Sequence, residues 1–236
     1  LALAHHNVGY LHIIRGEVPE AEESFRKAVE LGADFPMAHY NLGKALALQG
    51  DHAAALVSFE QAVEKDSTVS VAHLARGQSL VSMGEPDRAL DAYHTAMKLE
   101  GKSPKLLTLI GDLHASEEEF DAAIEFYRSA ITLKPTYPWS HSGLGRVYVK
   151  TGKTEEGHRE LRRFEHLQNV DLQLSAAHRR VDENPQDPGP HLALARLYVN
   201  ERRLQDAVRA LQRLAQLNPG IQETYYLLGI AYEGLN

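Results

Sequence analysis

The sequence predicts an all-α protein in which one helix–turn–helix unit recurs along the chain. Segments that start at Ala2, Pro36, Ser70, Pro104 and Pro138 follow one another at a spacing of 34 residues without insertion. That spacing is typical of α-solenoid repeats. The same kinds of residue also recur at the same positions within each segment, which indicates a shared fold as well as a shared length.

Small residues occupy two positions of every unit. The eighth residue is always glycine, as Gly9, Gly43, Gly77, Gly111 and Gly145. A glycine inside a helix costs about 1 kcal/mol relative to alanine, so five in register need a packing reason. The twentieth residue is also small, as Ala21, Ala55, Ala89, Ala123 and Gly157. We therefore expect the two helices of a unit to cross closely where these positions meet.

Larger residues and turn residues complete the unit. The twenty-fourth residue is large, as Phe25, Phe59, Tyr93, Tyr127 and Leu161. A small residue follows at the twenty-seventh position, as Ala28, Ala62, Ala96 and Ala130, where the second helix would meet the next unit. Left-handed turn residues are expected at Gly16, Gly50, Gly84 and Gly152. Proline suits the first helical turn at Pro36, Pro104 and Pro138.

This arrangement of small, small, aromatic and small residues resembles the tetratricopeptide repeat (TPR) family. The stretches AHYNLG at 38–43 and LKP at 133–135 are similar to sequences that are common in that family. The resemblance covers nearly the whole chain. It implies an α-solenoid, a right-handed superhelix of antiparallel helix pairs, whose first helices line a concave groove that holds peptides.

The period changes after the fifth unit. A sixth unit begins near Pro188 and a seventh near Gln222, and the distance from Pro138 to Pro188 is one period plus sixteen residues. Between Thr154 and Glu183 there is no proline, and apolar residues recur at helical spacing. One extended helix is the simplest interpretation. Sixteen added residues lengthen a helix by about 24 Å, so a perturbation between the fifth and sixth repeats is expected.

These observations divide the chain into three regions. Residues 1–169 are expected to hold five contiguous TPR units, and residues 170–187 an extension of the second helix of unit five plus a linker. Residues 188–236 are expected to hold the sixth unit and the first helix of a seventh. Neither terminus shows a polar cap, so we expect this segment to belong to a longer protein.

The candidate binding residues lie on one stripe of the first helices. Positions 2, 5, 9 and 12 share a face opposite the glycine stripe, and the resemblance makes that face the groove. The candidates on it or beside it are His6, Asn7, Tyr10, Tyr40, Asn41, Lys44, Gln78, Lys105, Asp112, Trp139, Arg146 and Lys150. Aromatic and arginine side chains often carry binding energy at interfaces. The alternative for Tyr10, Tyr40 and Trp139 is that they pack on neighbouring helices.

One ligand class of the family can be tested by position. The clamp of lysines and asparagines that grips chaperone C-termini needs cations and amides at set positions of three units. Asn41 is at a matching place, but the other positions hold His6, Tyr10, Val71 and Ala75. A chaperone-tail adaptor of this kind is therefore disfavoured.

Catalytic and metal chemistry find little support in the sequence. There is no cysteine among the 236 residues, and the thirteen histidines include no pair at a spacing of three or four. Five of them share position 4 on the inward stripe, as His5, His39, His73, His141 and His191, where packing explains them. The segment HSGLG at 141–145 fits no nucleophile or phosphate-loop pattern. We expect no enzymatic activity, no metal and no cofactor.

Charge and hydropathy narrow the class of partner. The net charge of −7 would repel a phosphate backbone, so nucleic acid is not expected. No apolar run is long enough to insert into a membrane. The predicted function is a scaffold that binds a protein or peptide, with Lys44, Lys105, Arg146 and Lys150 favouring an acidic one. A homo-oligomerisation module and the regulatory region of a larger enzyme or secretion or assembly complex stay open. The compartment is unknown, since cytoplasm and periplasm both fit.

Overall fold

The computed structural model describes residues 1–32 and 35–235, and the regular structure within those ranges is helical. This confirms the all-α class. The described residues form thirteen helices: α1 (Ala2–Arg15), α2 (Val18–Glu30), α3 (Pro36–Leu48), α4 (His52–Lys65), α5 (Ser70–Ser82), α6 (Pro86–Glu100), α7 (Pro104–Ser116), α8 (Phe120–Leu133), α9 (Pro138–Lys150), α10 (Thr154–Glu183), α11 (Pro188–Asn200), α12 (Leu204–Leu217) and α13 (Gln222–Glu233). They belong to two compact regions of the chain, Leu1–Leu161 and Arg162–Asn236.

Helix pairs build the first compact region. The helices α1, α3, α5 and α7 each pack on the helix that follows, and each second helix also packs on the next first helix. The large residues at the twenty-fourth position form the centres of these pairs. Phe25, Phe59, Tyr93 and Tyr127 are each no more than 1% exposed.

The position-8 glycines lie where the two helices of a pair cross. A Cβ atom built on Gly43 would lie 2.7 Å from Cε1 of Phe59 and 3.0 Å from the carbonyl oxygen of Ala55. A Cβ atom on Gly9 would lie 2.7 Å from Cε1 of Phe25. The predicted close crossing of positions 8 and 20 is confirmed at Gly43. The large residue at position 24 lies directly over the glycine, which explains why no side chain is present there.

The turns inside the pairs adopt the predicted left-handed conformation. The φ angles are 77°, 86°, 75° and 82° at Gly16, Gly50, Gly84 and Gly152. The equivalent turn residues of the fourth and sixth units are Glu118 and Arg202. They keep positive φ angles of 63° and 53° without glycine. The repeat therefore imposes this backbone conformation even where the residue type disfavours it.

The position-4 histidines fasten the loops between units. The ring nitrogen Nε2 contacts the carbonyl oxygen six residues earlier in three units, at 3.0 Å for His73 with Ser67, 2.9 Å for His141 with Pro135, and 3.0 Å for His191 with Pro185. All three rings are buried. The packing role expected for these histidines thus includes a hydrogen bond to the preceding loop.

Helix α10 runs without interruption over Thr154–Glu183. In the second compact region, the later residues of α10 pack with α11, α12 and α13 around buried Leu194, Tyr198 and Leu211. Gly229 on α13 differs from the other position-8 glycines, because no atom lies within 4 Å of the place its Cβ would take.

Candidate functional site

The surface that we call the groove face consists of positions 2, 5, 9 and 12 of α1, α3, α5, α7 and α9. Position 2 is exposed in all five helices, as Leu3, Met37, Val71, Lys105 and Trp139. The glycines on the opposite stripe are all buried. Exposure of this face is incomplete at position 5, because Thr108 of α7 and Ser142 of α9 are buried.

A cavity of about 360 Å³ opens on the groove face where α3, α5 and the start of α7 approach one another. We call it the central cavity. It brings together four of the predicted residues, Tyr40, Lys44, Gln78 and Lys105. The remaining lining residues are Ala47, Leu48, His52, Phe59, Ala75, Ser79 and Ser82.

Hydrogen-bond donors without protein partners line the central cavity. Among the described residues, the exposed ammonium groups of Lys44 and Lys105 form no ion pair. The buried Nδ1 atom of His52 likewise has no hydrogen-bond partner in the described part of the chain. Tyr40 is half-buried, its ring centroid lies 5.9 Å from that of Phe59, and burial raises the pKa of its hydroxyl. The described residues that line this cavity include no carboxylate.

A second cavity of about 320 Å³ lies between α7 and α9 and is called the α7–α9 cavity. It brings together Asp112, Arg146 and Lys150. Here the charged groups pair with one another. The guanidinium of Arg146 is 3.4 Å from Oδ1 of Asp112, and Nζ of Lys150 donates to Oε1 of Glu118 at 3.0 Å. Lys150 also lies 4.9 Å from the centroid of the Phe120 ring.

Asp112 is the electrostatic centre of the α7–α9 cavity. The hydroxyl of Tyr127 donates to its Oδ1 atom at 2.7 Å. Burial raises the pKa of Asp112, while the Tyr127 hydrogen bond and the charge of Arg146 act in the opposite direction. Burial, followed by the charge of Asp112, raises the pKa of Tyr127 as well. The tyrosine therefore remains a neutral donor at ordinary pH.

The candidates on α1 line neither of these two cavities. His6 and Asn41 are joined at 2.9 Å between Nε2 and Nδ2, and the His6 ring lies edge-on to Phe35 at 5.1 Å. Asn7 and Tyr10 are exposed on α1, and Tyr10 is 56% exposed. Trp139 is 53% exposed at the start of α9 and lines neither cavity.

The predicted set omits several residues of the two cavities. His52 begins the second helix of its pair, directly after the turn at Gly50 and Asp51. Tyr127 belongs to the buried aromatic position, yet its hydroxyl reaches the groove side. The ring of Tyr127 lies so close to Gly143 that a Cβ atom there would overlap it. The glycine at position 6 of the fifth unit was the available signal for this approach.

These features define an α-solenoid of helix pairs. A family model described as tetratricopeptide repeat matches residues 9–69 and 192–236, and one described as TPR repeat matches residues 111–152. The matched ranges cover more than half of the sequence. The chain belongs to the tetratricopeptide repeat family.

Solved structures show the same fold at low sequence identity. MamA 41-end from Desulfovibrio magneticus RS-1 is similar with a TM-score of 0.65 and 20% identity, over 71% of this chain and 95% of that one. PilF of Pseudomonas aeruginosa is similar with a TM-score of 0.62 and 17% identity, over 97% and 96% of the two chains. A chain of the APC/C hetero-tetramer Cut9–Hcn1 gives a TM-score of 0.62 and 19% identity, over 98% of this chain and 42% of that one. No curated protein matches the sequence.

No described helix is long and apolar enough to cross a membrane.

Proposed function

We propose that this protein is a non-catalytic scaffold that binds a peptide or an extended segment of a partner along the groove face of α1, α3, α5, α7 and α9. Membership of the tetratricopeptide repeat family supports a role in protein interaction. The location of the binding site on this chain goes beyond that family role, and it rests on the geometry of the groove face.

One observation carries the proposal. Two cavities open along the groove face between successive first helices, and seven of the predicted residues line them. Cavities of about 300–1,000 Å³ are usual for bound groups, so each of these accepts one or two side chains rather than a folded domain. A peptide that runs across the first helices would meet both cavities in turn.

The charge distribution of the groove face favours an acidic segment. The whole chain carries a net charge of −7, yet the part of the chain that the structure describes lines the central cavity with two lysines and no carboxylate. This local reversal of sign attracts an acidic peptide, whereas the overall charge disfavours nucleic acid.

The single tryptophan of the chain makes the proposal testable. Trp139 is exposed on the groove face, so a peptide bound beside it should change its fluorescence. A library of random twelve-residue peptides is selected on the full chain, and the selected peptides are titrated while Trp139 emission is recorded. Saturable changes in emission are expected.

Matched variants then locate the site. Tyr40→Ala and Trp139→Ala should each weaken the binding of selected, fluorescently labelled peptides by at least tenfold, because aromatic hot-spot anchors contribute about 2 kcal/mol or more and about 1.4 kcal/mol is tenfold. Leu133→Ala is the control, since Leu133 is 51% exposed on α8 and lines neither cavity. Equal affinity of all three variants and the unmodified chain would refute the groove face as the site.

Self-association is the competing outcome. Sedimentation at several concentrations separates it from peptide binding, because a self-assembling chain gains mass with concentration while a monomeric scaffold does not.

A further inference from the structure

The cation pairs of the two cavities differ in one respect. Arg146 and Lys150 of the α7–α9 cavity are engaged by Asp112 and Glu118 of the same chain. In the described part of the chain, Lys44 and Lys105 of the central cavity are engaged by no carboxylate. The first pair thus holds α7 and α9 together, and the second pair is free to meet a ligand.

Other polar side chains line the central cavity beside the two lysines. His52 contributes its imidazole ring to the lining, and Tyr40 contributes a hydroxyl donor. Gln78, between the two lysines along the series of helices, adds an amide donor.

We infer that the central cavity is a subsite for one aspartate or glutamate side chain of a bound peptide, held between the ammonium groups of Lys44 and Lys105. This inference rests on the proposed function, because it names the residue that the groove face selects. A carboxylate accepts hydrogen bonds at both oxygens and so can serve donors from α3 and α7 together. Arg146 and Lys150 do not select the ligand in this account.

Four features specify the occupant. The cavity offers donors and, among the described residues, no competing carboxylate; its volume leaves room for a side chain, and Tyr40, Ala47 and Phe59 supply an apolar wall beside the donors. A peptide carboxylate next to an apolar residue would meet both the donors and the apolar wall. A second copy of this chain could present such a residue, and sedimentation makes that a distinguishable outcome.

The test uses the peptides selected on the full chain. Their Asp or Glu residues are replaced one at a time by Asn or Gln, and each peptide is titrated by fluorescence anisotropy. One acidic position should stand out, with about tenfold weaker binding after replacement, since charged hydrogen bonds are roughly twice as strong as neutral ones. Raising the salt concentration should weaken the parent peptide more than the neutral one.

Protein variants show which lysines are responsible. In Lys44→Glu/Lys105→Glu the parent peptide should bind at least tenfold more weakly, and a peptide with lysine at the selected acidic position should recover affinity. The control Lys98→Glu/Lys134→Glu makes the same change of charge at exposed lysines that line neither cavity, and it should bind as the unmodified chain does. Arg146→Gln should also leave the effect of the acidic position intact.

The outcomes separate the two proposals. Selected peptides that shift Trp139 emission but bind Lys44→Glu/Lys105→Glu unchanged would overturn the carboxylate subsite and leave the groove face standing. A loss of binding equal in the Lys98→Glu/Lys134→Glu control would also overturn it, because long-range charge would then suffice. If no peptide is selected, or if groove-face variants bind normally, the proposed function fails together with the subsite.

Discussion

Replacing Gly43 with alanine tests the close helix crossing on which each repeat depends. The new Cβ atom would lie 2.7 Å from Cε1 of Phe59 and 3.0 Å from the carbonyl oxygen of Ala55. Phe59 is 1% exposed and Ala55 is fully buried, so neither yields unless α4 shifts on α3. Overpacking of this kind costs about 1–3 kcal/mol, and the higher helix propensity of alanine returns about 1 kcal/mol. We expect a net loss of stability of up to about 2 kcal/mol.

Gly229→Ala is the matched control for that substitution. Gly229 occupies the same position of its unit, but its Cβ would meet no atom within 4 Å. Only the gain in helix propensity remains, so this variant should be more stable by up to about 1 kcal/mol. Urea unfolding followed by circular dichroism measures both variants, and hydrogen exchange in α3 and α4 isolates the local effect, because repeat proteins need not unfold in one step. A Gly43→Ala chain stabilised as much as the Gly229→Ala chain would refute the packing account.

Two further predictions concern backbone strain and the buried carboxylate. Arg202→Gly should raise the free energy of unfolding by about 0.5–1 kcal/mol, since its φ of 53° is disfavoured for arginine. Gly84→Ala should lower the free energy of unfolding, because Gly84 has a φ of 75°. Thermal unfolding measures both variants, and the opposite order of stability would contradict this account. Nuclear magnetic resonance titration should place the pKa of Asp112 above 3.8, and higher still in Tyr127→Phe, which lacks the hydroxyl that lowers it. Because the folded pKa is raised, the stability that Asp112 contributes is present at low pH and is lost as pH rises through that pKa. A pKa at or below 3.8 would contradict the account.

The repeat is predictable from sequence because each unit repeats the same local constraints. The glycine at position 8, the small residue at position 20 and the large residue at position 24 are needed wherever two helices cross. These positions therefore fix the helix pairs and the inward stripe together. The turn conformation at Glu118 is less visible, since no glycine marks it and the surrounding repeat imposes it.

The candidate site is only partly predictable for a related reason. Periodicity assigns Lys44, Lys105 and Arg146 to one face, but it gives no information on their partners. Arg146 pairs with Asp112 from the previous unit, while Lys44 and Lys105 have no such partner in the described chain. His52 escapes notice because it belongs to the second helix of its pair. Pairing between units depends on side-chain reach across helices, which the spacing of residues along one helix does not contain.

Mapping a selected peptide by nuclear magnetic resonance tests the central claim most directly. Amide shifts in the isotope-labelled chain, together with the indole signal of Trp139, report which surface the peptide covers. The account predicts the largest changes on α3, α5 and α7 around Tyr40, Lys44 and Gln78, with a change at Trp139. Changes confined to the second helices α2, α4, α6 and α8 would contradict it.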